Sequence, residues 1–362
     1  MLGSIELHNF KAFQDQEIEL RPLTLLTGLN GMGKSSVLQS LLLLRQSYLA
    51  MGKGSFNLFL NGDLIEIGTG VDVFYREAVD DLVQLKLEAD GTVYTWAFRY
   101  KKDQDVLSVA KTAPSLVYES SLFGDQFHYL RAERLGPRRF NQLSEYQVNR
   151  NNIGSSGEYA VHFLSKFGDM TLPPLPTIHP NSTDMTLKGQ VQAWMGEISP
   201  GTQIDIVPST NMDLAQLRFG FSGGYTYRAT NVGFGLTYTL PVVIALLSAS
   251  TGWLVLLENP EAHLHPQGQA KMGQLLALAA AGGAQVIVET HSDHILNGIR
   301  IATKNKQIAP DQVALQYFQR AEGGKGMPAV EVVMPELDEE GRLDFRPEGF
   351  FDEFTNSMRS LM

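Results

Sequence analysis

The sequence predicts an α/β fold in which a parallel sheet is assembled from both ends of the chain. Near the N-terminus, the strand pattern "EIELRPLTLLT" (17–27) is followed at once by the glycine-rich "GLNGMGKSS" (28–36) and by a helical pattern with an apolar face (37–50). Far downstream, "WLVLLE" (253–258) and "AQVIVET" (284–290) are continuous apolar runs, as expected of strands buried on both faces. Because helical patterns alternate with these strands, the sheet is expected to be parallel.

Antiparallel strands are predicted between these two parts. "SIELHN" (4–9) has the pattern of a short strand, and residues 56–100 are expected to form antiparallel strands. The clearest is the hairpin at 82–100, where two alternating runs flank Asp90-Gly91. Residues 101–230 are less regular and predict an inserted lobe of mixed structure, with a helix at "LKGQVQAWMGEI" (187–198).

The pattern becomes regular again after residue 230. A helix is predicted at 235–249, kinked or restarted at Pro241. Another is predicted at 266–281, with Pro266 near its first position. A third is predicted at 292–305, capped by Ser292 or Asp293, and the tail predicts a hairpin around "EEGR" and a short helix. The predicted divisions are 1–100 and 231–310 for the two parts of the core, 101–230 for the inserted lobe and 311–362 for a small C-terminal α+β element.

Composition excludes several classes of protein. The chain has no cysteine, which excludes disulfides and suits the cytoplasm, and "MLGSIELHNFKAF" does not read as a signal peptide. A net charge of −10 disfavours a non-specific grip on nucleic acid through the global field. The uncharged residues 233–257 are interrupted by Pro241 and "SASTG" (248–252), so they predict a buried helix, a turn and a strand rather than a membrane span.

The glycine-rich segment fits a phosphate-binding loop. Gly28, Gly33, Lys34 and Ser35 have the spacing G-x-x-x-x-G-K-S, between a strand and a helix as that motif requires. In this motif, backbone N–H groups and the helix N-terminus surround phosphate oxygens, the lysine reaches the β- and γ-phosphates, and the serine holds Mg²⁺. The sequence therefore predicts binding of ATP and Mg²⁺. The residues expected to contact the nucleotide are Asn30, Gly31, Gly33, Lys34, Ser35 and Ser36.

Taken together, these segments resemble an ABC-type ATPase of the SMC/OLD-like group within the AAA superfamily of P-loop NTPases. "IELHNFKAF" and "LTLLTGLNGMGKSSVL" resemble its opening strand and Walker A segment, and "WLVLLENPEAHLHP" its Walker B strand and D-loop. "VIVETHSDHIL" resembles its switch-histidine strand, and "RPEGFFDE" a subfamily whose C-terminal domain is of unknown function. The resemblance implies a P-loop NTPase core with an ABC-type antiparallel β subdomain. The group's glutamine loop is left open between Gln84, Gln126 and Gln142.

The resemblance also implies a dimer that forms around ATP. "NVGFGLTYTLP" (231–241) lies where the group has its signature loop, so Asn231, Gly233 and Gly235 would offer backbone donors to the γ-phosphate held by a second protomer. Small residues at a helix N-terminus suit an anion on physical grounds as well. A turn that packs one helix closely against its neighbour explains the same glycines nearly as well.

The carboxylates around Asn259 decide how hydrolysis would proceed. Glu258 ends a buried strand and is expected to hold Mg²⁺. Asn259 occupies the position at which the resembled group often has its catalytic glutamate, and an amide can orient water but cannot accept its proton. Three alternatives remain: Glu261 is the base, Glu289 or His291 is the base, or hydrolysis is slow because no strong base exists. Slow, dimer-dependent hydrolysis is the favoured interpretation.

A metallohydrolase is the rival interpretation of this region. His263, His265, His291 and Asp293 place imidazoles and a carboxylate in two nearby motifs, a combination that transition metals favour. The phosphate-binding loop explains the neighbourhood without such a site, and Leu264 with a histidine could instead pack at a dimer interface.

The output of such an ATPase is predicted by resemblance alone. Neither the acidic metal-binding cluster of the OLD nuclease domain nor the long coiled coils of SMC proteins is recognised in the sequence. The chain is therefore expected to serve as a sensor or scaffold for a separate effector, such as a nuclease or toxin, in bacterial anti-phage defence. The alternative is a DNA-repair or DNA-maintenance clamp that grips phosphates through a local cluster. That cluster would comprise Arg131, Arg134, Arg138, Arg139 and Arg150.

Overall fold

A computed structural model describes residues 1–52, 56–221, 224–321, 330–347, 349–351, 358, 360 and 361. The strands are β1 (Leu2–Phe10), β2 (Phe13–Glu19), β3 (Leu23–Gly28), β4 (Leu58–Phe59), β5 (Leu82–Ala89), β6 (Thr92–Arg99), β7 (Val106–Leu107), β8 (Val109–Lys111), β9 (Phe127–Leu130), β10 (Asn141–Gln142), β11 (Gln203–Ser209), β12 (Leu214–Gly220), β13 (Thr226–Arg228), β14 (Leu254–Glu258), β15 (Gln285–Glu289), β16 (Val313–Arg320) and β17 (Val330–Val333). The α-helices are α1 (Lys34–Met51), α2 (Gly70–Val73), α3 (Glu145–Val148), α4 (Ala160–Phe167), α5 (Leu187–Ile198), α6 (Phe234–Ser248), α7 (Pro266–Ala281) and α8 (Asp293–Lys304).

The chain divides into two compact units. Unit 1 comprises 1–124, 313–336 and 343–362, and unit 2 comprises 125–312 and 337–342. Unit 1 is thus built from both ends of the chain. Residues 101–230, predicted as one lobe, are shared between the two units.

Unit 1 contains an antiparallel sheet of five strands in the order β2-β1-β5-β6-β8. The hairpin predicted at 82–100 is confirmed, with β5 and β6 paired from Leu82↔Arg99 to Ala89↔Thr92. Asp90 and Gly91 both have positive φ, 49° and 75°, which the tight turn between two twisted strands requires.

The prediction of strands throughout 56–81 is wrong. Apart from β4, this segment holds the single helical turn α2 and irregular chain. The turn is closed by a capping box in which the Thr69 side chain accepts from the backbone of Asp72 and the Asp72 side chain accepts from the backbone of Thr69. Gly68 just before it has φ 113°, so the chain reverses where an extended strand was expected.

Unit 1 also contains the first parallel pairing. β3 lies parallel to β16, from Leu23↔Val313 to Gly28↔Phe318, and β17 pairs with β16 antiparallel. The small hairpin predicted around "EEGR" is present, because Asp338 N–H donates to Arg342 O and Asp344 N–H donates to Glu336 O on the two sides of this turn. The pairing of β16 with β17 was not predicted. The helix predicted at the C-terminus falls on a segment of which only 358, 360 and 361 are described.

Unit 2 contains the buried parallel strands predicted from residues 253–290. β14 lies between β9 and β15 and is parallel to both. Residues 254–257 of β14 are fully buried, as are 286–288 of β15, which explains their unbroken apolar sequence. The short strand β9 was not predicted.

Three helices of unit 2 follow the predicted pattern. α6 is one helix that continues through Pro241 rather than restarting there, and α7 begins with Pro266. Ser292, not Asp293, caps α8, since its Oγ accepts from the N–H groups of His294 and Ile295. In the part of the chain that the structure describes, no helix is long and apolar enough to cross a membrane.

Unit 2 also carries a second, antiparallel sheet. It has the order β10-β12-β11, and β13 pairs with β12 as well.

Candidate functional site

The backbone of residues 28–33 requires glycine at three positions. Gly28, Gly31 and Gly33 all have positive φ, at 131°, 77° and 91°. A Cβ atom on Gly28 would lie 2.1 Å from Phe318 O, and one on Gly33 would lie 2.4 Å from Phe13 Cζ. A Cβ on Gly31 would meet nothing within 4 Å, so this glycine is required by backbone conformation alone.

Lys34 begins α1 with its ammonium folded back onto this loop. Its Nζ donates to Gly28 O at 2.9 Å and to Leu29 O at 2.8 Å, and the residue is only 4% exposed. Ser35 and Ser36 follow in the first turn of the helix, which carries no acidic residue. An 18-residue helix with an acid-free first turn presents the positive end of its dipole to the loop. The predicted residues Asn30, Gly31, Gly33, Lys34, Ser35 and Ser36 therefore lie together in one loop and the helix start that follows it, an arrangement that suits an anion.

In unit 2, the Glu258 carboxylate is oriented by two donors. The Tyr129 hydroxyl donates to Oε1 at 2.9 Å, and the Ala132 N–H donates to Oε2 at 3.0 Å. Burial, and secondarily the Glu258 charge, raise the pKa of Tyr129, which keeps this hydroxyl protonated and able to donate. Glu258 is thereby fixed at the end of β14 as an oxygen donor of the kind that Mg²⁺ prefers.

Asn259 adopts a left-handed backbone conformation. Its φ is 46°, a region that asparagine tolerates better than glutamate. Its N–H donates to Glu289 O at 2.8 Å, which joins the end of β14 to the end of β15. Its Oδ1 is buried and accepts no hydrogen bond from any residue that the structure describes.

Glu261 links the turn after β14 to the start of the segment after β15. The His291 N–H donates to Glu261 Oε1 at 2.9 Å, while Oε2 is buried and has no hydrogen-bond partner within the described ranges. His291 itself is exposed. Next to it, Ser292 Oγ donates to Gln269 Oε1 at 2.5 Å, so the same segment is also attached to α7.

Arg134 binds backbone carbonyl groups at and around Glu258 and Asn259. Its guanidinium donates to four carbonyl oxygens, at distances from 2.7 to 3.1 Å: those of Arg131, Tyr238, Glu258 and Asn259. Arg134 is 2% exposed, and burial lowers its pKa to about 10, so it still carries its charge at neutral pH. The sequence assigned Arg134 to a phosphate-binding cluster, and the structure corrects this, because a buried side chain with four carbonyl partners cannot reach a nucleic acid.

The other four arginines of that cluster differ in whether their side chains already have a partner. Arg131 donates to Ser156 Oγ, and Arg150 forms an ion pair with Asp125 at 3.1 Å. Arg138 and Arg139 are exposed. Four of the five arginines are therefore exposed, and two of these four, Arg131 and Arg150, already have a side-chain partner.

Tyr129 and the Ala132 N–H are parts of the site that the sequence did not reveal. Both lie in "FHYLRAERLGP", where a short apolar run leads into a charged, glycine- and proline-containing loop. That change in composition marks the end of a buried strand and was the available signal.

The predicted signature loop lies at the N-terminus of α6. Gly233 is the exposed N-cap residue, Asn231 is also exposed, and a Cβ on Gly233 would meet nothing within 4 Å. A Cβ on Gly235 would lie 2.6 Å from His263 O. Close helix packing therefore explains Gly235, whereas it does not explain Gly233.

The histidines of the alternative metal site have other roles. The His263 ring packs against Phe234 and Tyr238, with centroids 5.8 and 4.9 Å away, and His265 Nδ1 accepts from Gln267 N–H at the start of α7. No group of three or more histidine, aspartate and glutamate side chains in the described ranges has the arrangement of a metal site.

Comparison with known proteins gives matches that cover most of the chain. The family described as "AAA domain, putative AbiEii toxin, Type IV TA system" matches residues 23–297, and "Protein of unknown function (DUF3696)" matches residues 308–361. An OLD nuclease of Thermus scotoductus is 23% identical over 366 aligned positions, which cover 88% of this chain and 64% of that protein. The chain thus spans less than two thirds of the length of this curated relative.

Solved structures of SMC heads share the fold. An SMC head bound to the C-terminal winged-helix domain of ScpA matches with a TM-score of 0.57 and 15% identity, over 93% of this chain and 98% of that one. An SMC head with an extended coiled coil, bound to the C-terminal domain of ScpA derived from Pyrococcus furiosus, matches with a TM-score of 0.54 and 13% identity, over 99% of each chain. The predicted fold class, an ABC-type P-loop core, is confirmed.

Proposed function

Since the chain belongs to this family of AAA domains, we propose that it is an ABC-type ATPase that binds ATP with Mg²⁺ and hydrolyses it slowly. The observation that carries the proposal is the loop of residues 28–33. Its glycines hold the backbone in left-handed conformations, Lys34 lies against it, and an acid-free helix begins behind it. These features suit the phosphates of a nucleotide.

Ser35 and Glu258 are the residues that would hold Mg²⁺. Both offer hard oxygen donors, and the hydrogen bonds from Tyr129 and Ala132 fix the direction of the Glu258 carboxylate. When bound, the metal ion offsets the charge that develops on the β- and γ-phosphate oxygens. The chain's own contribution is to position these groups before the nucleotide arrives.

Slow hydrolysis follows from the groups available to activate water. Asn259 can orient a water molecule but cannot take its proton. One oxygen of Glu261, Oε1, already accepts the His291 N–H, so only Oε2, which has no partner among the described residues, is available to a water molecule. Glu289 and His291 are further candidates. General-base assistance typically raises the rate about 10²–10⁴-fold, so hydrolysis without it would be slow by a similar factor.

A head-to-tail dimer around ATP is the second part of the proposal. Asn231 and Gly233 lie exposed at the start of a 15-residue helix, and no residue that the structure describes lies within 4 Å of a Cβ placed on Gly233. This end of α6 is therefore available to cap a γ-phosphate bound to a partner chain. Gly235 would contribute by allowing α6 to pack closely against His263.

The proposed biological role is that of a sensor or scaffold for a separate effector, such as a nuclease or toxin, in anti-phage defence. The description of the family as a toxin of a toxin–antitoxin system, and a relative named as an OLD nuclease, support this direction. Co-purification of the tagged chain with the product of a neighbouring gene would support it. The clamp alternative loses the buried Arg134 and retains four exposed arginines, of which Arg131 and Arg150 already bind Ser156 and Asp125.

Nucleotide binding is tested with Lys34→Ala. Loss of a charged donor to phosphate should raise the Kd for ATP about tenfold or more, since hydrogen bonds to charged groups are worth about 1.5–3 kcal/mol. Lys102→Ala, at an exposed position of unit 1, is the matched control and should bind as wild type does. Unchanged ATP affinity in a folded Lys34→Ala protein would contradict the proposal.

A further inference from the structure

The second sheet of unit 2 brings two separate segments to one edge of β12. β11 pairs with β12 along its whole length, from Gln203↔Gly220 to Ser209↔Leu214, and so occupies one edge. β10 and β13 must therefore share the other edge, where Asn141 faces Ala215 and Arg228 faces Arg218. Only residues 216 and 217 separate these two positions, a distance of about 10 Å along the strand.

This edge places two like charges opposite each other. Arg218 and Arg228 are direct partners across the β12–β13 pair, an arrangement that destabilises a sheet unless something compensates it. Asp205 faces Arg218 from β11, but no ion pair within 4.0 Å joins either arginine to an acid in the described part of the chain. Arg218 instead donates to Gln216 Oε1 at 2.7 Å.

Exposed aromatic residues occur in the same two edge segments. Phe140, which immediately precedes β10, is 44% exposed, and the Arg139 guanidinium lies 5.8 Å from its ring centroid. Tyr225 and Tyr227, before and within β13, are 75% and 46% exposed. Large aromatic side chains are normally buried, so exposed rings in the two segments that share an edge with facing arginines suit a ligand that is both anionic and able to stack.

We propose that the edge formed by Arg139-Phe140 and by Tyr225 to Arg228 binds single-stranded nucleic acid. Arg218, Arg228 and Arg139 would contact phosphates, and the rings of Phe140 and Tyr225 would stack on unpaired bases. A duplex offers phosphates but no free base faces, so the aromatic rings favour the single strand. The chain's net charge of −10 makes this a local site rather than an effect of the global field. The inference is independent of ATP binding.

The test is fluorescence anisotropy with labelled single-stranded DNA and RNA of about 20 nucleotides, longer than the sites of about 4–16 nucleotides typical of one small domain. Wild type should bind either strand, and affinity should fall as salt rises. The double variant Arg218→Gln with Arg228→Gln should lower the slope of log K against log salt by about 1.4, since each single-strand phosphate contact contributes about 0.7. Phe140→Ala with Tyr225→Ala should weaken binding about tenfold or more with little change in that slope.

A matched control removes the same charge elsewhere. Arg76→Gln with Lys102→Gln lies at exposed positions of unit 1 and should bind as wild type does. Thermal unfolding separates binding from folding, because Arg218→Gln with Arg228→Gln relieves repulsion and should leave the Tm unchanged or raised. The proposal is overturned if wild type does not bind, if it prefers duplex, or if the arginine variant instead abolishes self-association of the chain. Failure of nucleotide binding in the Lys34 test would leave this result unaffected.

Discussion

Arg134 shows how one buried charge organises the backbone of the candidate site. Its four bonds to carbonyl oxygens include those of Glu258 and Asn259. Arg134→Met should lower the free energy of unfolding by about 3 kcal/mol or more, because several buried carbonyls lose their donors together. Arg138→Met, at an exposed position, is the control and should change it by less than about 0.5 kcal/mol. Urea denaturation measures both, and equal stability of the two variants would contradict the assigned role.

The sequence indicates the candidate nucleotide-site residues but not the residues that hold them in place. Lys34, Ser35 and Glu258 are candidates from the sequence because each lies beside a strand or helix signal in a recognisable motif. Tyr129 and Arg134 were missed or misassigned because their roles depend on contacts across more than a hundred positions of chain. Nothing in the local sequence distinguishes a buried arginine that binds carbonyls from one that binds phosphate.

Asn259 provides the test of the slow-hydrolysis proposal. If no strong base is present, Glu261→Gln should change turnover only modestly, and Asn259→Glu should raise it by up to about 10²–10⁴-fold. The left-handed φ of residue 259 costs glutamate about 1 kcal/mol, so the fold of this variant must be confirmed by its Tm. The measurement is phosphate release at saturating ATP. A large fall in Glu261→Gln with ATP binding intact would identify Glu261 as the base.

At the scale of elements, two glycines at the start of α6 distinguish a position that requires close packing from one that is exposed. Gly235→Ala should lower the free energy of unfolding by about 1–3 kcal/mol, because the new methyl group would lie 2.6 Å from His263 O. Gly233→Ala should lower it by less than about 1 kcal/mol, since its Cβ position is open and its φ of −62° is allowed for any residue. Thermal unfolding with circular dichroism compares the two. Equal destabilisation would show that close packing is not what requires Gly235.

Elements with a strong period were predicted well, and elements defined by distant partners were not. β14, β15, α7 and α8 followed from apolar runs, a proline and a capping serine. β9 has only four residues, and what makes it a strand is its pairing with β14, from Phe127↔Leu254 to Leu130↔Leu257. The small hairpin at "EEGR" followed from the turn composition of that segment, whereas the pairing of β16 with β17 was not predicted.

At the scale of the whole molecule, the chain order and the compact units do not coincide. Both ends of the chain contribute to unit 1, and β3 lies parallel to β16, which is nearly three hundred residues away. The sequence predicted that both ends contribute to the core, because apolar runs of parallel-strand character occur in both. The unit boundary at 124/125 was not predicted, since long-range pairing leaves no local signal.

Whether two chains share one ATP site is testable by complementation. Lys34→Ala removes the proposed phosphate-binding lysine, and Gly233→Trp blocks the proposed cap at a position where a Cβ atom has no described neighbour within 4 Å in the single chain. Each variant alone should be inactive. An equimolar mixture should recover about a quarter of wild-type turnover, because half of the randomly formed dimers are mixed and each mixed dimer has one intact site out of two. Phosphate release measures this, and the Lys102→Ala chain mixed in place of Lys34→Ala is the positive control, which should give about half of wild-type turnover. Turnover in the mixture no higher than the sum of the separate variants would mean that the start of α6 does not act on the nucleotide of a partner chain.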